Sequence, residues 1–295
     1  MTDFIGIVTV LFNSDDVLPD FFESLAKQKD VKYRLYVIDN SKTDSGSRLS
    51  QELAEKYKID VQIVFNNANV GVAKGNNQGI ESALRDGCSH ILLSNNDIEF
   101  KSETLISEMI SKMEEVNANA LVPKIYYHSD AARIWCAGGY INKLAVKSPH
   151  YGDGEIDVGQ YDKSDFVEYA PTCFMLISKK IFEAVGVMDE KYFVYYDDTD
   201  FILRFNERKN KLYYWSGGEV WHKVSYSTGG SDGEFSLFYT FRNRIYFVRK
   251  NYQIFASILS VAYIFCSAVV KFAKYDDKKR KAIMNGLKAG FAIEI

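Results

Sequence analysis

Acidic side chains that could act together are concentrated in one short stretch, Asp197-Asp198-Thr199-Asp200, directly after the large apolar residues 193–196. Aspartates at the start of a helix are stabilised by the helix dipole, and that alone would explain them. Three carboxylates within four residues are nevertheless more than capping requires. Neighbouring carboxylates raise each other's proton affinity, which suits a general base. The stretch therefore predicts a site of proton transfer where a helix begins.

A second polar stretch, Asn95-Asn96-Asp97, follows the apolar run Ile91 to Leu93. Such a run is typical of a strand buried on both faces, and a carboxylate just past its end lies where open α/β sheets bind ligands. The simpler interpretation is a strand followed by an Asx turn. Two other predicted strands also end in polar residues, at Asn13 and Asp39. If the strand order reverses beside the first strand, all three ends line one crevice.

Two further segments carry groups that bind metals or phosphates. His222 follows Val220-Trp221; a lone histidine beside tryptophan is usually structural, but its position at a strand end favours a metal ligand or substrate donor. Residues 69–77 hold three asparagines, Lys74 and two glycines before a predicted helix. Backbone amides at a helix start suit a phosphate, although the segment matches neither a Walker loop nor a dinucleotide fingerprint. A capped turn is the alternative.

The elements that must position these groups alternate between strand and helix over the first hundred residues. Strands are predicted at residues 5–11, 33–38, 61–65 and around Ile91, with helices between them. This alternation predicts a parallel sheet with right-handed crossovers.

The pattern after residue 100 is less regular. The sequence predicts a helix within 101–120, a strand from Tyr140 to Val146, a strand from Cys173 to Ile177 and a helix from Lys179 to Val185. Tyr151 to Asp162 forms a polar loop, a candidate lid on the acceptor side, because long loops in compact domains are usually functional or mobile.

Length and composition narrow the class of protein. A chain of 295 residues with 47% hydrophobic content can form one large domain, or one domain with an appendage. The net charge of −3 gives no support for nucleic-acid binding. Four scattered cysteines predict reduced thiols and a cytoplasmic protein. Gly6 to Phe12 resembles a first strand rather than the apolar core of a signal peptide.

The C-terminal part of the sequence has a different character. Residues 235–250 have a helical pattern, and Ile254 to Val270 is almost entirely apolar, interrupted by three serines. Seventeen residues are short for a membrane span, which needs ~20. Six basic residues follow between Lys271 and Lys281. This pattern predicts docking on the anionic inner leaflet of a membrane; the alternative is a helix packed on the body or in a homo-oligomer.

Eight segments, in order, give the chain a family resemblance. They are VTVLFNS at 8–14, VIDNSKTD at 37–44, NVGVAKGNNQGI at 69–80, LLSNNDIEF at 92–100, IWCAGGYIN at 134–142, MLISKKIFEAVGVMDEKYFVYYDDTDFILR at 175–204, VWHKVSYSTGG at 220–230 and FYTFRNRIYF at 238–247. In this order they resemble the inverting family 2 glycosyltransferases of the GT-A fold, especially the bacterial rhamnosyl- and galactofuranosyltransferase-like branch.

The resemblance implies an α/β fold, a Rossmann-like nucleotide-binding mixed sheet flanked by helices, with a C-terminal helical extension. The implied catalytic domain is 1–232, divided into a nucleotide-sugar half at 1–100 and an acceptor and catalytic half at 101–232. Residues 233–295 would form the helical region.

The resemblance also implies roles for individual residues. Nucleotide-sugar contacts are expected from Thr9, Asn13, Asp39, Asn69, Gly71, Lys74, Asn77, Asn95 and Asp97. Asp97, the last carboxylate of a reduced D-x-D motif, would bind a divalent ion, Mn²⁺ or Mg²⁺, and His222 would complete the metal site. Of the pair Asp197 and Asp198, the second is the expected base. Trp221, Arg242 and Asn243 are assigned to the acceptor side.

The implied reaction is metal-dependent transfer, with inversion, from a UDP- or dTDP-sugar of the rhamnose or galactofuranose type. The implied acceptor is a glycan or a polyprenyl-linked molecule used for the bacterial cell wall, O-antigen or capsule. Two departures weaken the match: the NND motif, and Pro171-Thr172-Cys173, where relatives commonly have a glycine before the cysteine.

Two alternatives are open. A nucleotidyltransferase would carry a basic, glycine-rich loop after the first strand, which VTVLFNSDD does not contain. A catalytically weak carbohydrate- or nucleotide-binding protein of the same fold is supported only by the reduced NND motif.

Overall fold

A mixed sheet of ten strands organises the computed structural model, which describes residues 3–224 and 232–295. Eight strands follow the order β3-β2-β1-β4-β9-β6-β10-β5, while β7 pairs with β6 and β8 with β10. The strands are β1 (Phe4–Leu11), β2 (Lys32–Asp39), β3 (Val61–Phe65), β4 (His90–Ser94), β5 (Ile98–Phe100), β6 (Ala120–Tyr127), β7 (Asp130–Cys136), β8 (Asp165–Phe166), β9 (Phe174–Ser178) and β10 (Leu212–His222). Part of the VWHKVSYSTGG segment, 225–230, lies outside the described residues.

The first four strands are parallel, as predicted. Helices α1 (Leu18–Ala26), α2 (Ser45–Tyr57) and α3 (Val72–Arg85) connect them. Ile5, Ile7 and Val8 are fully buried, because a parallel sheet covered on both faces has apolar residues on both. The strand order does reverse beside the first strand, since β1 lies between β2 and β4. The carboxyl ends of these three strands therefore border one crevice.

The second half of the sheet is mixed. Strand β9 runs antiparallel to both β4 and β6, while β10 is parallel to β6 and antiparallel to β5. Helices α4 (Leu105–Glu115), α5 (Lys179–Val185) and α6 (Asp197–Glu207) complete this half. The sheet thus joins a parallel half to a mixed half.

The predicted strand from Tyr140 to Val146 is wrong. These residues form a turn closed by a bridge between Asn142 and Lys147. The side chain of Asn142 accepts a hydrogen bond from the backbone N–H of Ala145 at 2.9 Å, and Val146 has φ = 48°. Local bonds to the asparagine therefore replace a strand ladder.

The polar loop 151–162 is tied to strand β6 by a buried lysine. Lys124 is 1% exposed, and its ammonium lies 2.8 Å from Asp157 Oδ2 and 2.6 Å from Asp162 Oδ1. A buried ammonium requires such partners, because leaving it unpaired would be strongly destabilising. The loop 151–162, which the sequence suggested as a lid, is therefore anchored at Asp157 and Asp162.

Three helices follow residue 232: α7 (Glu234–Asn251), α8 (Ile254–Lys274) and α9 (Asp277–Ala292). Helices α7 and α9 pack closely at Gly286 and Gly290, where an added Cβ would lie 2.4 Å from a backbone carbonyl oxygen of α7. Helix α8 buries only Ser260, Ile264 and Ala268. It is, within the described ranges, the single helix long and apolar enough to cross a membrane; its 18-residue apolar window has a mean hydropathy of 2.0 and is 17% buried.

Candidate active site

A cavity of about 910 Å³ opens at the carboxyl ends of β1 and β4. It extends from the start of α3, across the turn after β4, to the start of α6. Predicted site residues that line it are Asn69, Gly71, Asn95, Asp97, Asp197, Asp198 and His222. The topology therefore brings the acidic pair, the strand-end carboxylate and the histidine to one space, although they are spread over more than 120 residues of the chain.

Asp97 and His222 form a buried pair at one side of the cavity. They are 8% and 6% exposed, and Asp97 Oδ1 lies 3.1 Å from His222 Nε2. The two atoms are not aligned for a hydrogen bond, and Asp97 Oδ1 has no other hydrogen-bond partner among the described residues. His222 Nδ1, the other nitrogen of the imidazole ring, has no partner among them either. Buried polar atoms are normally satisfied, and such orphaned atoms beside a cavity indicate a missing ligand.

A carboxylate oxygen and an imidazole nitrogen fit a divalent cation such as Mn²⁺ or Mg²⁺. Residues 3–224 and 232–295 contain no cluster of three or more His, Cys, Asp or Glu side chains that could hold a metal. The pair would therefore need further ligands from outside the protein, such as phosphate oxygens and water. Trp135 packs edge-on against the His222 ring, with ring centroids 4.5 Å apart, and so limits its rotation.

The two asparagines of the NND motif stabilise the turn that presents Asp97. The backbone N–H of Asn95 donates to the Cys173 carbonyl at 2.7 Å, and the side chain of Asn96 donates to Ser14 Oγ. Asn95 Nδ2 lies 3.5 Å from His222 Nε2. The amides thus hold the turn against β9 and the residues after β1.

Asp198 is the better placed of the two candidate bases. Its Oδ2 accepts a hydrogen bond from the Tyr169 hydroxyl at 2.6 Å, and its Oδ1 accepts one from the Thr199 N–H at 2.6 Å. The side chain is half-buried and borders the cavity. These hydrogen bonds fix the orientation of the carboxyl group at the edge of the cavity.

Asp197 is buried and differs electrostatically from its neighbour. Burial raises the pKa of Asp197 well above the usual range, and the negative charge of Asp198 raises it further. Asp197 therefore keeps its proton more readily than an exposed aspartate does.

The third aspartate, Asp200, has a structural role. It is fully buried and accepts hydrogen bonds from Arg204 Nε at 2.9 Å and Lys250 Nζ at 2.9 Å. Asn251 of α7 donates to it as well, at 3.1 Å. Asp200 therefore fastens α6 to α7.

Gly71 fixes the loop at the start of α3. Its φ and ψ are 90° and 165°, a region that only glycine adopts readily. The Asn40 side chain donates to its carbonyl at 3.0 Å, and Asn69 Oδ1 accepts from its N–H at 3.1 Å. A Cβ at Gly71 would lie 2.6 Å from the carbonyl oxygen of Phe193. The loop therefore presents the helix start to the cavity in one conformation.

Three predicted nucleotide contacts, Thr9, Asn13 and Asp39, do not line the cavity. Thr9 is fully buried, and Asp39 accepts hydrogen bonds from the Ser41 N–H at 2.9 Å and Ser47 Oγ at 2.7 Å. The N–H of Asn13 donates to Ser41 Oγ at 2.9 Å. These residues shape the ends of β1 and β2, and their contacts with a nucleotide stay predictions.

Other predicted residues also point away from the cavity. Lys74 is exposed on α3. Asn77 is buried, donating to the carbonyl of Met188 at 2.9 Å and accepting from its N–H at 2.9 Å. Trp221 lies on the opposite side of β10 from His222, because successive strand residues face opposite ways. Arg242 and Asn243 lie behind the wall formed by residues 192–196.

Sequence reasoning gave no role to Trp135 and Tyr169, although both line the cavity. Trp135 is a large aromatic residue in IWCAGGYIN, one of the segments that carry the family resemblance, and this position could have indicated a role in the site. Tyr169 had none, because its contact with Asp198 spans 29 residues without a regular repeat.

The reversal of strand order beside β1 and the mixed second half give this sheet the arrangement of the GT-A fold. Residues 6–186 match the model of Glycosyl transferase family 2. The chain belongs to this family and is a glycosyltransferase. The family and the fold predicted from the sequence are thus confirmed.

Two curated relatives have similar sequences. The low-salt glycan biosynthesis hexosyltransferase Agl10 of Haloferax volcanii is 21% identical over 280 residues, which cover 92% of this chain and 83% of that one. The dTDP-rhamnosyl transferase RfbF of Shigella flexneri is 26% identical over 199 residues, 68% of this chain. That match spans 62% of the Shigella protein, less than two thirds of its length.

Solved structures share the fold at low identity. S. aureus TarS 1-349 in complex with UDP has a TM-score of 0.61 and 13% identity, covering 98% of this chain and 80% of that one. The mannosyltransferase PcManGT of Pyrobaculum calidifontis, in complex with GDP-Man and Mn²⁺, has a TM-score of 0.57 and 10% identity, covering 99% and 87%.

Gly71→Ala is expected to destabilise the protein and weaken UDP binding. Backbone strain alone costs of the order of 1–3 kcal/mol, and the clash with Phe193 displaces the loop. Gly87→Ala is the matched control, since Gly87 also has a positive φ, 82°, but nothing lies within 4 Å of an added Cβ. Thermal unfolding and UDP titration measure both effects. Equal loss of stability in both variants, with unchanged UDP affinity, would contradict the prediction.

Proposed function

We propose that this glycosyltransferase moves a sugar from a UDP- or dTDP-sugar to a hydroxyl of a glycan or polyprenyl-linked acceptor, with inversion at the anomeric carbon. The observation that carries the proposal is the division of one cavity between Asp97–His222 and Asp198–Tyr169. A donor of the rhamnose or galactofuranose type is favoured, and the similarity to a dTDP-rhamnosyl transferase supports it. The products would serve bacterial cell wall, O-antigen or capsule synthesis.

Asp198 acts as the general base in this proposal. An acceptor hydroxyl is a poor nucleophile until a carboxylate takes its proton, and Asp198 Oδ1 and Oδ2 border the cavity where the acceptor would lie. The hydrogen bond from Tyr169 keeps the carboxylate oriented. The acceptor oxygen then bonds to the anomeric carbon while the bond from that carbon to the nucleoside diphosphate breaks. This single displacement inverts the anomeric configuration and releases the nucleoside diphosphate, and the proton of the hydroxyl is left on Asp198.

Asp97 and His222 would hold a divalent ion together with the diphosphate of the donor. When bound, Mn²⁺ or Mg²⁺ neutralises charge on a diphosphate leaving group. Asp97 supplies the charged oxygen and His222 the neutral nitrogen. The loop 69–71 would contact the nucleotide, with Thr9, Asn13 and Asp39 shaping the base and ribose side.

The proposal places the enzyme at the inner face of the membrane, docked through α8. On this helix, Ile254, Phe255, Ile258 and Val269 are 82%, 76%, 62% and 68% exposed. The stretch from 271 to 281 contains six basic residues and only two aspartates, so its net charge is positive. An exposed apolar helix beside cationic side chains complements an anionic bilayer, and polyprenyl-linked acceptors reside there.

Asp198→Asn is expected to lower kcat by about 10²- to 10⁴-fold, the usual cost of losing a general base. Asp197→Asn should cost far less, because a neutral amide resembles the protonated carboxyl that burial favours there. Transfer is measured with candidate UDP- and dTDP-sugars, and donor affinity by calorimetry. Equal losses in both variants would remove the distinction between the two aspartates.

Asp97→Ala should reduce the Mn²⁺ dependence of UDP binding more than His222→Ala does, because Asp97 supplies the only charged ligand of the pair. The expected loss is at least about tenfold, since even residues that only orient metal ligands cost 10- to 100-fold. Calorimetry of UDP with and without Mn²⁺ gives the result independently of turnover. Identical metal dependence in wild type and Asp97→Ala would defeat the assignment.

The double substitution Phe255→Glu and Ile258→Glu is expected to abolish binding to vesicles containing phosphatidylglycerol. Wild-type binding should weaken with salt, because surface charges are screened over ~10 Å at 0.1 M. Val158→Glu is the control, since Val158 is 82% exposed in the loop 151–162, away from α8. Wild-type protein that ignores these vesicles at low salt and elutes as a stable dimer would identify α8 as a subunit contact.

The alternatives of the sequence analysis have their own test. A nucleotidyltransferase is incompatible with the family to which the chain belongs. A catalytically weak binding protein would bind UDP but neither transfer sugar nor hydrolyse a sugar nucleotide with Mn²⁺.

A further inference from the structure

The segment Phe193 to Tyr196 joins two functional parts of the cavity in a strained conformation. Phe193, Tyr195 and Tyr196 have φ values of 66°, 62° and 67°. Such values are unfavourable for aromatic residues, and they persist only where the surroundings enforce them. The segment therefore requires a device that holds it.

The two ends of this segment contact different parts of the site. At one end, the carbonyl of Phe193 accepts a hydrogen bond from the Val72 N–H at 2.6 Å, so it adjoins the loop at the start of α3. At the other end, Tyr196 precedes the first residues of α6, Asp197 and Asp198. The conformation of four residues thus sets the position of the acidic pair relative to the loop.

Asn243 of α7 holds the segment from behind. It is fully buried, and its Nδ2 lies 3.0, 2.7 and 2.9 Å from the carbonyl oxygens of Tyr192, Val194 and Tyr195. The two N–H groups of the Asn243 side chain are thus shared among three carbonyls. Each of these carbonyls belongs to the residue before one with a positive φ, so the positive φ values set the direction in which the carbonyls point. Its Oδ1 accepts from Arg242 Nη1 at 2.6 Å, which fixes the orientation of the amide.

Aromatic packing supports the same arrangement. The guanidinium of Arg242 lies 5.6 Å from the ring centroid of Tyr239, and Tyr239 stacks on Phe193 with centroids 5.1 Å apart and an angle of 17° between rings. Arg242 also donates to the Tyr192 carbonyl at 3.4 Å. Arg242 and Asn243 therefore contact the back of the segment, and neither lines the cavity.

We propose that Asn243 is a positioning residue for sugar transfer: it holds residues 193–196 in their strained conformation and so places Asp198 against the acceptor hydroxyl. This inference rests on the proposed function. It gives Asn243 a positioning role in place of the direct contact with the acceptor that the family resemblance implied. Alanine would remove this donor: the Tyr192 carbonyl would keep its hydrogen bonds from Arg242 and the Val194 N–H, whereas the carbonyls of Val194 and Tyr195 would lose their bonds to the amide. Aspartate would face the three carbonyls with negative charge.

The test compares Asn243→Ala and Asn243→Ser with Arg249→Ala. Arg249 is on the same helix and donates from Nη1 to the carbonyls of Gly290 at 2.9 Å and Ile293 at 2.8 Å, so its loss weakens the contact with α9 and leaves residues 192–195 untouched. Each variant is characterised by thermal unfolding, kcat, donor KM and hydrogen exchange of the amides 193–200.

Asn243→Ala is expected to lower kcat by about 10- to 100-fold at a temperature where it is fully folded, within the effect attributed to misplacing reacting groups. Its donor KM should change far less, and exchange of amides 193–200 should increase. Asn243→Ser keeps one donor and should lose less activity. Arg249→Ala should lower the unfolding temperature while kcat stays within twofold of wild type.

Several results would overturn the inference. One is an Asn243→Ala enzyme with wild-type kcat, and another is a fall in kcat that Arg249→Ala reproduces at equal loss of stability. If Asn243→Ala does not fold, Asn243→Ser decides by the same criteria. If wild-type protein transfers no sugar, the proposed function fails. Unchanged hydrogen exchange of amides 193–200 in the Asn243 variants would separately refute the positioning role of Asn243.

Discussion

A three-residue antiparallel ladder, β5 against the end of β10, is the contact on which the site depends. It pairs Ile98 with His222, and the Lys223 N–H donates to the carbonyl of Asp97 at 3.0 Å. Residues more than 120 positions apart are thereby placed side by side. Because a strand alternates its faces, the register that turns His222 toward Asp97 necessarily turns Trp221 outward. A slip of one residue would exchange them and leave the carboxylate without its imidazole.

The parallel half could be predicted from the sequence because its signals are local. Buried runs, helix periodicity and polar strand ends give the strands and the reversal beside β1, and the bounds 61–65 and 179–185 are those observed. The grouping of Asp97, Asp198 and His222 in one cavity also follows, since each lies next to a readable strand or helix end. Short-range patterns suffice where crossovers and sheet edges impose the geometry.

The rest of the fold and of the site depends on contacts that no short sequence pattern predicts. The apolar residues near Ile141 and Val146 are buried by packing around a turn, and alternation alone cannot distinguish that from a strand. The bond from Tyr169 to Asp198 joins irregular segments. Asn243 stands out in the sequence, but which carbonyls face it depends on backbone angles that aromatic residues rarely adopt. Environment also separates Asp197 from Asp198, two residues that are chemically identical in the chain.

The close packing of α9 on α7 has a consequence for how the enzyme is made. The elements up to β10 carry the acidic pair and the Asp97–His222 pair, yet Asn243 is on α7, which α9 supports through Gly286 and Gly290. The side chains of both pairs are synthesised before α7 and α9, because they precede both helices in the chain. Since a domain generally folds as a unit, the two pairs reach their final positions only after α7 and α9 have been synthesised.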